Sequence, residues 1–197
     1  ISNYKHLSIK ADSAKPDEIS KLAKKIRAEY GSLNLLINNA CWTQFIEHNN
    51  LADLTPEIFD KIYKINLRGS YLAIREHEDL FVDQDNALII NIASIASISA
   101  IGSNIAYCAI KAGLVNMTKS MARSLAPKIR VNSISPALTD TELTKGWSNY
   151  RSEQIKKTPL ERLGSCDDIA NTAWSLYDRM KFVTGQDIVV DGGRLLN

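Results

Sequence analysis

Tyr107 and Lys111 are the residues whose types and spacing most directly suggest chemistry. They lie four positions apart in a segment of helical periodicity, so both side chains share one face of the predicted helix. An ammonium group close to a phenol favours the phenolate, and we therefore expect Lys111 to lower the pKa of Tyr107 from its usual value of about 10. A phenol with such a pKa transfers protons near neutral pH. The pair alone is also a common chance arrangement on an exposed helix face.

Three further polar positions bear on the same question. Ser94 ends a short apolar segment before Tyr107, Asn39 follows another apolar run, and Asn66 lies inside a helical stretch. A serine hydroxyl at the end of a strand is able to hydrogen-bond a substrate oxygen. Each residue also has a simpler interpretation, with Ser94 and Asn39 as turn residues and Asn66 on the exposed side of its helix.

Short apolar runs alternate with segments of helical periodicity along the chain. The runs are apolar at consecutive positions, which is typical of strands buried on both faces of a parallel sheet. This alternation predicts an α/β fold with a doubly wound parallel sheet, Rossmann-like and in a single domain. Residues 139–159 are polar and are expected to form a loop or lid. The predicted strands are residues 6–12, 33–38, 87–92, 128–134 and 187–190, and the predicted helices are residues 16–30, 55–78, 104–126 and 167–177.

Four of the predicted strands are followed by a residue that could take part in ligand binding. Open parallel sheets bind their ligands beyond the carboxyl ends of the strands, where such residues meet. We therefore expect the functional site at this edge of the sheet. The residues are Asp12, Asn39, Ser94 and Pro136.

Composition excludes several classes of protein. The net charge of +2 comes without a basic block, so we expect no nucleic-acid partner. No apolar run reaches the roughly 20 residues that span a bilayer, and no signal peptide is recognisable, so we expect no membrane association. Three cysteines without CxxC spacing suggest reduced thiols and a cytoplasmic protein. Three scattered histidines make a metal site improbable, and we expect none.

Taken together, these motifs resemble the short-chain dehydrogenase/reductase family. They occur in the family's order and at family-like spacings, and they cover essentially the whole chain. Each motif is weak by itself, but their joint occurrence by chance is very improbable. The matching elements are residues 38–40, Asn66, residues 91–94, Tyr107 with Lys111, residues 135–136, Thr141, residues 182–186 and residues 190–193.

The resemblance implies a proton relay built on four residues. Tyr107 would be the general acid when a carbonyl is reduced, and Lys111 would lower its pKa and bind hydroxyls of the nicotinamide ribose. Ser94 would hold the substrate oxygen and stabilise the charge that develops on it. The side chain of Asn66 would hold a water that links Lys111 to solvent.

The resemblance also implies a nicotinamide cofactor, NAD or NADP, which carries the hydride. Two positions depart from the family's pattern, because Cys41 and Ala137 stand where glycine is usual. Glycine lets the backbone approach the cofactor closely, so Cys41 in particular could crowd it. The cofactor-binding residues implied by the resemblance are Asp12, Asn39, Ala40, Tyr107, Lys111, Pro136, Thr139 and Thr141.

The family's opening strands and its glycine-rich phosphate-binding turn are absent from this sequence. That turn normally cradles the cofactor's pyrophosphate at a helix N-terminus. Without the missing strands, the predicted strand at residues 6–12 would lack a neighbour and would expose an apolar face. We therefore hypothesise that the natural protein is longer and that the NAD or NADP determinant lies in the missing part.

Two functional hypotheses follow. In the first, the protein is an NAD(P)-dependent oxidoreductase for a small-molecule carbonyl or alcohol, such as a 3-oxoacyl compound, a sugar or polyol, or another small ketone. The Tyr-x-x-x-Lys spacing suits carbonyl reduction better than enoyl reduction, for which the family uses a longer spacing. In the second, the scaffold serves as a binding or regulatory protein, or is an inactive fragment. The family also pairs subunits through the helices at residues 55–78 and 104–126, which implies a homodimer or homotetramer.

Overall fold

Four parallel strands form the sheet of the computed structural model, which describes residues 6–81 and 87–197. The strands are β1 (Leu35–Asn38), β2 (Leu88–Ile92), β3 (Arg130–Pro136) and β4 (Asp187–Val190), and they lie side by side in this order. Every neighbouring pair is parallel and in register. Parallel neighbours must be joined by crossovers, and helical segments supply them here.

The helices surround this sheet. They are α1 (Pro16–Tyr30), α2 (Pro56–Tyr63), α3 (Gly69–His77), α4 (Ala96–Ser99), α5 (Ile105–Leu125), α6 (Ser148–Lys157) and α7 (Cys166–Asp178). Residues Lys64–Arg68 join α2 to α3 as one π-helical turn, so the chain does not leave the helical path between them. Short 3-10 turns are at Glu78–Leu80, Glu142–Thr144 and Arg194–Leu196.

Apolar layers cover both faces of the sheet. Ile89 of β2 packs with Val131 of β3 and with Ile74 of α3 on one face. The alternate β2 residue Ile90 packs on the other face, with Leu176 of α7. Consecutive strand residues point to opposite faces, so a strand that is covered on both must be apolar throughout. The predicted α/β fold with a doubly wound, Rossmann-like parallel sheet is thereby confirmed.

The predicted strand at residues 6–12 is wrong. The backbone there forms no strand and pairs with no neighbour among the described residues. A strand exists only through hydrogen bonds to a second strand, and a short run of suitable residues alone does not make one. The segment is held by its downstream end, where the Arg68 guanidinium donates to the Ala14 carbonyl at 2.6 Å. Gly69 permits this approach, because a Cβ there would stand 2.8 Å from the Ser13 carbonyl oxygen.

The polar segment at residues 139–159 is more ordered than the predicted loop or lid. It contains the 3-10 turn at Glu142–Thr144 and the ten-residue helix α6. Thr144 fixes the start of this segment, because its hydroxyl donates to the Thr139 carbonyl at 2.7 Å. The segment's low apolar content reflects its position at the rim of the sheet, and it does not indicate missing structure.

Candidate active site

A cavity of about 710 Å³ opens at the carboxyl ends of β1, β2 and β3. Asn39 follows β1, Ser94 follows β2 and Pro136 ends β3, and all three line the cavity. Tyr107 and Lys111 reach it from α5. The sheet edge where the sequence predicted a functional site is therefore the place where these side chains meet.

Asn104 fixes the position of Tyr107. It precedes α5, and its side-chain oxygen accepts the Tyr107 backbone N–H at 2.8 Å, which satisfies one of the donors left open at a helix start. The amide nitrogen of Asn104 donates to the Gln44 carbonyl at 2.7 Å. Asn104 is 1% exposed, so it ties the first turn of α5 to the loop after β1 inside the protein.

Tyr107 shares the cavity with Ser94 and Cys41. Burial raises the pKa of Tyr107 above its usual value, and the neighbouring Cys41 thiol raises it further. A hydrogen bond with the Ser94 hydroxyl acts in the opposite direction but is outweighed. The expected lowering of this pKa is thus not found, because removal of the phenol from water disfavours its charged form.

Lys111 does not offset that burial. Its ammonium nitrogen Nζ donates to the Ile92 carbonyl at 2.7 Å and lies 5.6 Å from the centre of the Tyr107 ring. The side chain is 2% exposed, and burial lowers the pKa of Lys111 below its usual value. Helical spacing places Lys111 beside Tyr107, as expected from the sequence. The hydrogen-bond acceptor of its ammonium group is the carbonyl of Ile92 in β2.

The Asn66 side chain bonds the backbone of Trp42. Its Oδ1 accepts the Trp42 backbone N–H at 3.0 Å, and its Nδ2 donates to the Trp42 carbonyl at 2.8 Å. Asn66 lies in the π-helical turn and is 1% exposed, so it is on the inner side of its helix. Such turns are frequent at functional sites. Here the amide holds the loop that carries Cys41 against the helices.

Two predicted cofactor residues lie outside the cavity lining. The Asp12 carboxylate accepts the Ala14 backbone N–H at 2.9 Å, and its own N–H donates to Glu18, so Asp12 shapes the turn before α1. Ala40 is exposed beside the lining residue Asn39. The other predicted positions, Thr139 and Thr141, do line the cavity together with Pro136.

A buried polar chain behind the site has no counterpart in our sequence analysis. Asn38 donates through its amide to the Asn91 side-chain oxygen at 2.8 Å, and Asn91 donates to the Thr118 hydroxyl at 2.9 Å. The chain joins β1, β2 and α5. Both asparagines belong to the recognised motifs, but Thr118 is a single threonine within α5, and nothing in its spacing marks it.

The side of the cavity away from the strands was also missed. Trp147 and Tyr150 line it and belong to the segment that was taken for a loop. The two aromatic residues in this otherwise polar stretch are the sequence feature that could have indicated one side of the cavity. Among residues 6–81 and 87–197, no group of three or more metal-ligating side chains comes together. In the same part of the chain, no helix combines the length and hydropathy needed to cross a bilayer.

Comparison with known proteins extends these observations. The family model described as "Enoyl-(Acyl carrier protein) reductase" matches residues 2–194. The chain is 33% identical over 189 residues to a 3-oxoacyl-[acyl-carrier-protein] reductase of Staphylococcus epidermidis, covering 94% of this chain and 76% of that protein. It is 34% identical over 197 residues to an NAD-dependent glycerol dehydrogenase of Listeria innocua, covering 98% of this chain and 76% of that protein.

A solved structure shows the same arrangement. A short-chain type dehydrogenase/reductase from Mycobacterium marinum superimposes with a TM-score of 0.90 at 31% identity, covering 99% of this chain and 78% of that one. The family match over most of the sequence, the curated relatives and the shared fold agree with the order of the motifs around the cavity. The chain therefore belongs to the short-chain dehydrogenase/reductase family of oxidoreductases.

Proposed function

We propose that the protein is an NAD(P)-dependent oxidoreductase that interconverts a carbonyl compound and its alcohol. The observation that carries this proposal is the meeting of Ser94, Tyr107 and Lys111 in one cavity at the carboxyl edge of the sheet. A hydroxyl, a phenol and a buried ammonium group together can hold a substrate oxygen and deliver a proton to it.

Tyr107 is the proposed general acid. The phenol carries its proton at neutral pH and lies in the cavity, where it could donate that proton to a carbonyl oxygen. Ser94 lines the same cavity, so its hydroxyl could hold the substrate oxygen. In the reverse direction the Tyr107 phenolate would accept the proton of the alcohol.

The residues of the cavity fit a nicotinamide cofactor. Lys111 carries three N–H groups on Nζ, and Ile92 accepts one of them, so donors remain for the hydroxyls of a ribose. The cavity continues from Lys111 past Pro136 to Thr139 and Thr141, which would lie along the nicotinamide side. A bound cofactor would supply the hydride, and the protein's own residues would supply the proton and the placement. NAD and NADP both remain within this proposal.

Replacement of Tyr107 tests the role of the phenol. The Tyr107→Phe variant keeps the ring and loses the proton donor, so we expect kcat for carbonyl reduction to fall by roughly 10²- to 10⁴-fold. The matched control is Tyr30→Phe, because Tyr30 is exposed at the end of α1 and does not line the cavity. The assay follows oxidation of NADH and NADPH with a panel of ketones. Undiminished activity in Tyr107→Phe would remove Tyr107 from the mechanism.

We also propose that the described residues belong to one domain and that the protein forms a homodimer or homotetramer. Exposed aromatic side chains on α2 and α3 support the proposed oligomer. Phe59 and Tyr63 lie one turn apart on α2, and Tyr71 lies on α3, each about two-fifths exposed. Aromatic residues of this size are commonly found in subunit interfaces.

A further inference from the structure

Aliphatic side chains are exposed inside the cavity on the side away from the strands. Ile98 is 54% exposed, Ile101 59% and Leu143 51%, and all three line the cavity. They come from two separate segments, since Ile98 and Ile101 follow β2 and Leu143 follows β3. Contiguous exposed apolar surface within a concave site is typical of a surface that a ligand covers.

Aromatic rings extend this apolar surface. Trp147 and Tyr150 line the cavity, and their ring centres are 6.2 Å apart in an edge-to-face arrangement. Phe45, from the loop after β1, packs on both, with ring centres at 6.2 Å from Trp147 and 5.9 Å from Tyr150. This aromatic cluster is held together by the mutual packing of its rings, and the ring faces add apolar surface to the cavity.

Several polar side chains of the cavity lining already have protein partners. The hydroxyls of Thr43 and Ser103 bond to each other at 2.6 Å, and Ser99 donates to the Ile95 carbonyl at 3.1 Å. Gln154 accepts the Arg194 Nε–H at 2.9 Å, so the amide oxygen is engaged as well. At these side chains a substrate with several hydroxyls would have to compete with existing bonds, which favours an arm without hydroxyls.

We infer that the substrate is a ketone, or its secondary alcohol, whose non-reacting arm is apolar, either aliphatic or aromatic, and that it is not a polyol or sugar. The arm would lie against Ile98, Ile101, Leu143 and the aromatic cluster while the carbonyl oxygen meets Ser94 and Tyr107. This inference rests on the proposed function and narrows its substrate class.

A series of methyl ketones tests the inference. The protein would be assayed with 2-butanone, 2-octanone, 4-phenyl-2-butanone and dihydroxyacetone, each with NADH and with NADPH. We expect kcat/KM to rise at least about 10-fold from 2-butanone to 2-octanone and 4-phenyl-2-butanone, because added apolar groups are covered by the apolar surface. Dihydroxyacetone should be the poorest substrate of the four.

A pair of variants locates the effect. Ile101→Ser removes part of the apolar lining, so it should reduce the ratio of kcat/KM for 2-octanone over 2-butanone by at least about threefold. Leu51→Ser is the matched control, because Leu51 is 67% exposed outside the cavity lining, and this ratio should stay unchanged. An unaltered ratio in Ile101→Ser would contradict the placement of the arm.

Binding measured without turnover separates this inference from the proposed function. Isothermal titration of the Tyr107→Phe variant should show tighter binding of 4-phenyl-2-butanone than of 2-butanone, and the weakest binding for dihydroxyacetone. Reduction that depends on Tyr107 but favours dihydroxyacetone would overturn the inference and leave the function standing. No turnover of any ketone, together with the expected order of binding, would overturn the proposed function and leave the apolar assignment of the cavity.

Discussion

Cys41 is the residue that distinguishes this site most clearly. It stands where the family usually has glycine, and the structure places its thiol against the Tyr107 phenol and near Lys111. A glycine at this position would leave the space beside the Tyr107 phenol open to a ligand. The Cys41 side chain occupies part of that space. The sequence showed that Cys41 is bulkier than the usual residue, but its contact with Tyr107 required the loop after β1 to fold back over α5.

Removal of the Cys41 thiol should lower the pKa of Tyr107, because the thiol is one of the groups that raise it. The measurement is the ultraviolet absorbance of the phenolate during a pH titration, taken as the difference between each protein and its Tyr107→Phe counterpart. In wild type we expect no Tyr107 phenolate below pH 10, the usual tyrosine pKa. In Cys41→Ala the phenolate should appear at lower pH than in wild type.

Cys166→Ala is the control for that titration. Cys166 is exposed and is not among the groups that shift the pKa of Tyr107. Its variant should therefore follow the wild-type curve. A phenolate that appears at the same or a higher pH in Cys41→Ala would show that the thiol does not act on the phenol.

For Asn66, the sequence predicts a polar role but does not identify the residue that it bonds. Its interior position in an apolar helical stretch correctly indicated a polar task, and the structure shows both ends of its amide bonded to Trp42. The partner is a backbone segment 24 residues earlier in the chain. Spacing along a helix carries no information about such a distant partner, so the task was predictable and the partner was not.

At the scale of the element, the start of α7 shows how local sequence fixes a helix. Ser165 and Asp168 form a capping box, in which the Ser165 hydroxyl accepts the Asp168 N–H at 3.1 Å and Asp168 accepts the Ser165 N–H at 2.7 Å. The Arg162 guanidinium adds two bonds to the same carboxylate. These contacts hold the pKa of Asp168 well below its usual range, and the hydrogen bonds from Arg162 have the largest effect.

Because Asp168 of this capping box is ionised in the folded state, the free energy of unfolding depends on pH. Because the pKa of Asp168 is lower in the folded state, its contribution is present above the unfolded value near 3.8 and is lost as the pH falls through the folded value. Asp168→Asn should therefore have a lower free energy of unfolding than wild type at pH 7. The difference should shrink below about pH 3.8, as measured by urea denaturation at several pH values.

Asp167→Asn is the matched control, since it removes the same charge from the same first turn without breaking the capping box. Its effect on the free energy of unfolding should be smaller at pH 7. Equal effects of the two variants at every pH would mean that the general attraction of a helix start for negative charge accounts for the stabilisation.

Prediction of the elements from sequence succeeded where the signal is local. The strand at Asp187–Val190 and the helix from Asn104 onward were recognised within one residue, because apolar runs and helix caps are written in neighbouring positions. The strand predicted at residues 6–12 and the loop predicted at residues 139–159 were wrong for non-local reasons. The first segment has no partner strand among the described residues, and the second packs against Phe45, which lies in the loop after β1.

At the scale of the whole molecule, the exposed aromatic residues of α2 and α3 lead to a test of assembly. Light scattering should give a mass of two or four protomers for wild type. The double variant Phe59→Lys with Tyr63→Lys should lower that mass, because it places charges in the proposed interface. Leu51→Lys, a charge added at an exposed position outside those helices, should not. A wild-type mass of one protomer would refute the proposed assembly.

The parallel register of the sheet has a consequence for how this site comes into being. Leu35 pairs with Leu88, Leu88 with Arg130, and Ser133 with Asp187, so every strand pairing closes a loop of several tens of residues. Closing such a loop costs chain entropy before the contacts between the strands can stabilise it. The closures are therefore slow steps in folding. Asn39 and Ser94 follow two different strands and Pro136 ends a third, so no continuous stretch of chain can form the cavity. A chain that has formed its helices but has not docked its strands therefore lacks this candidate site.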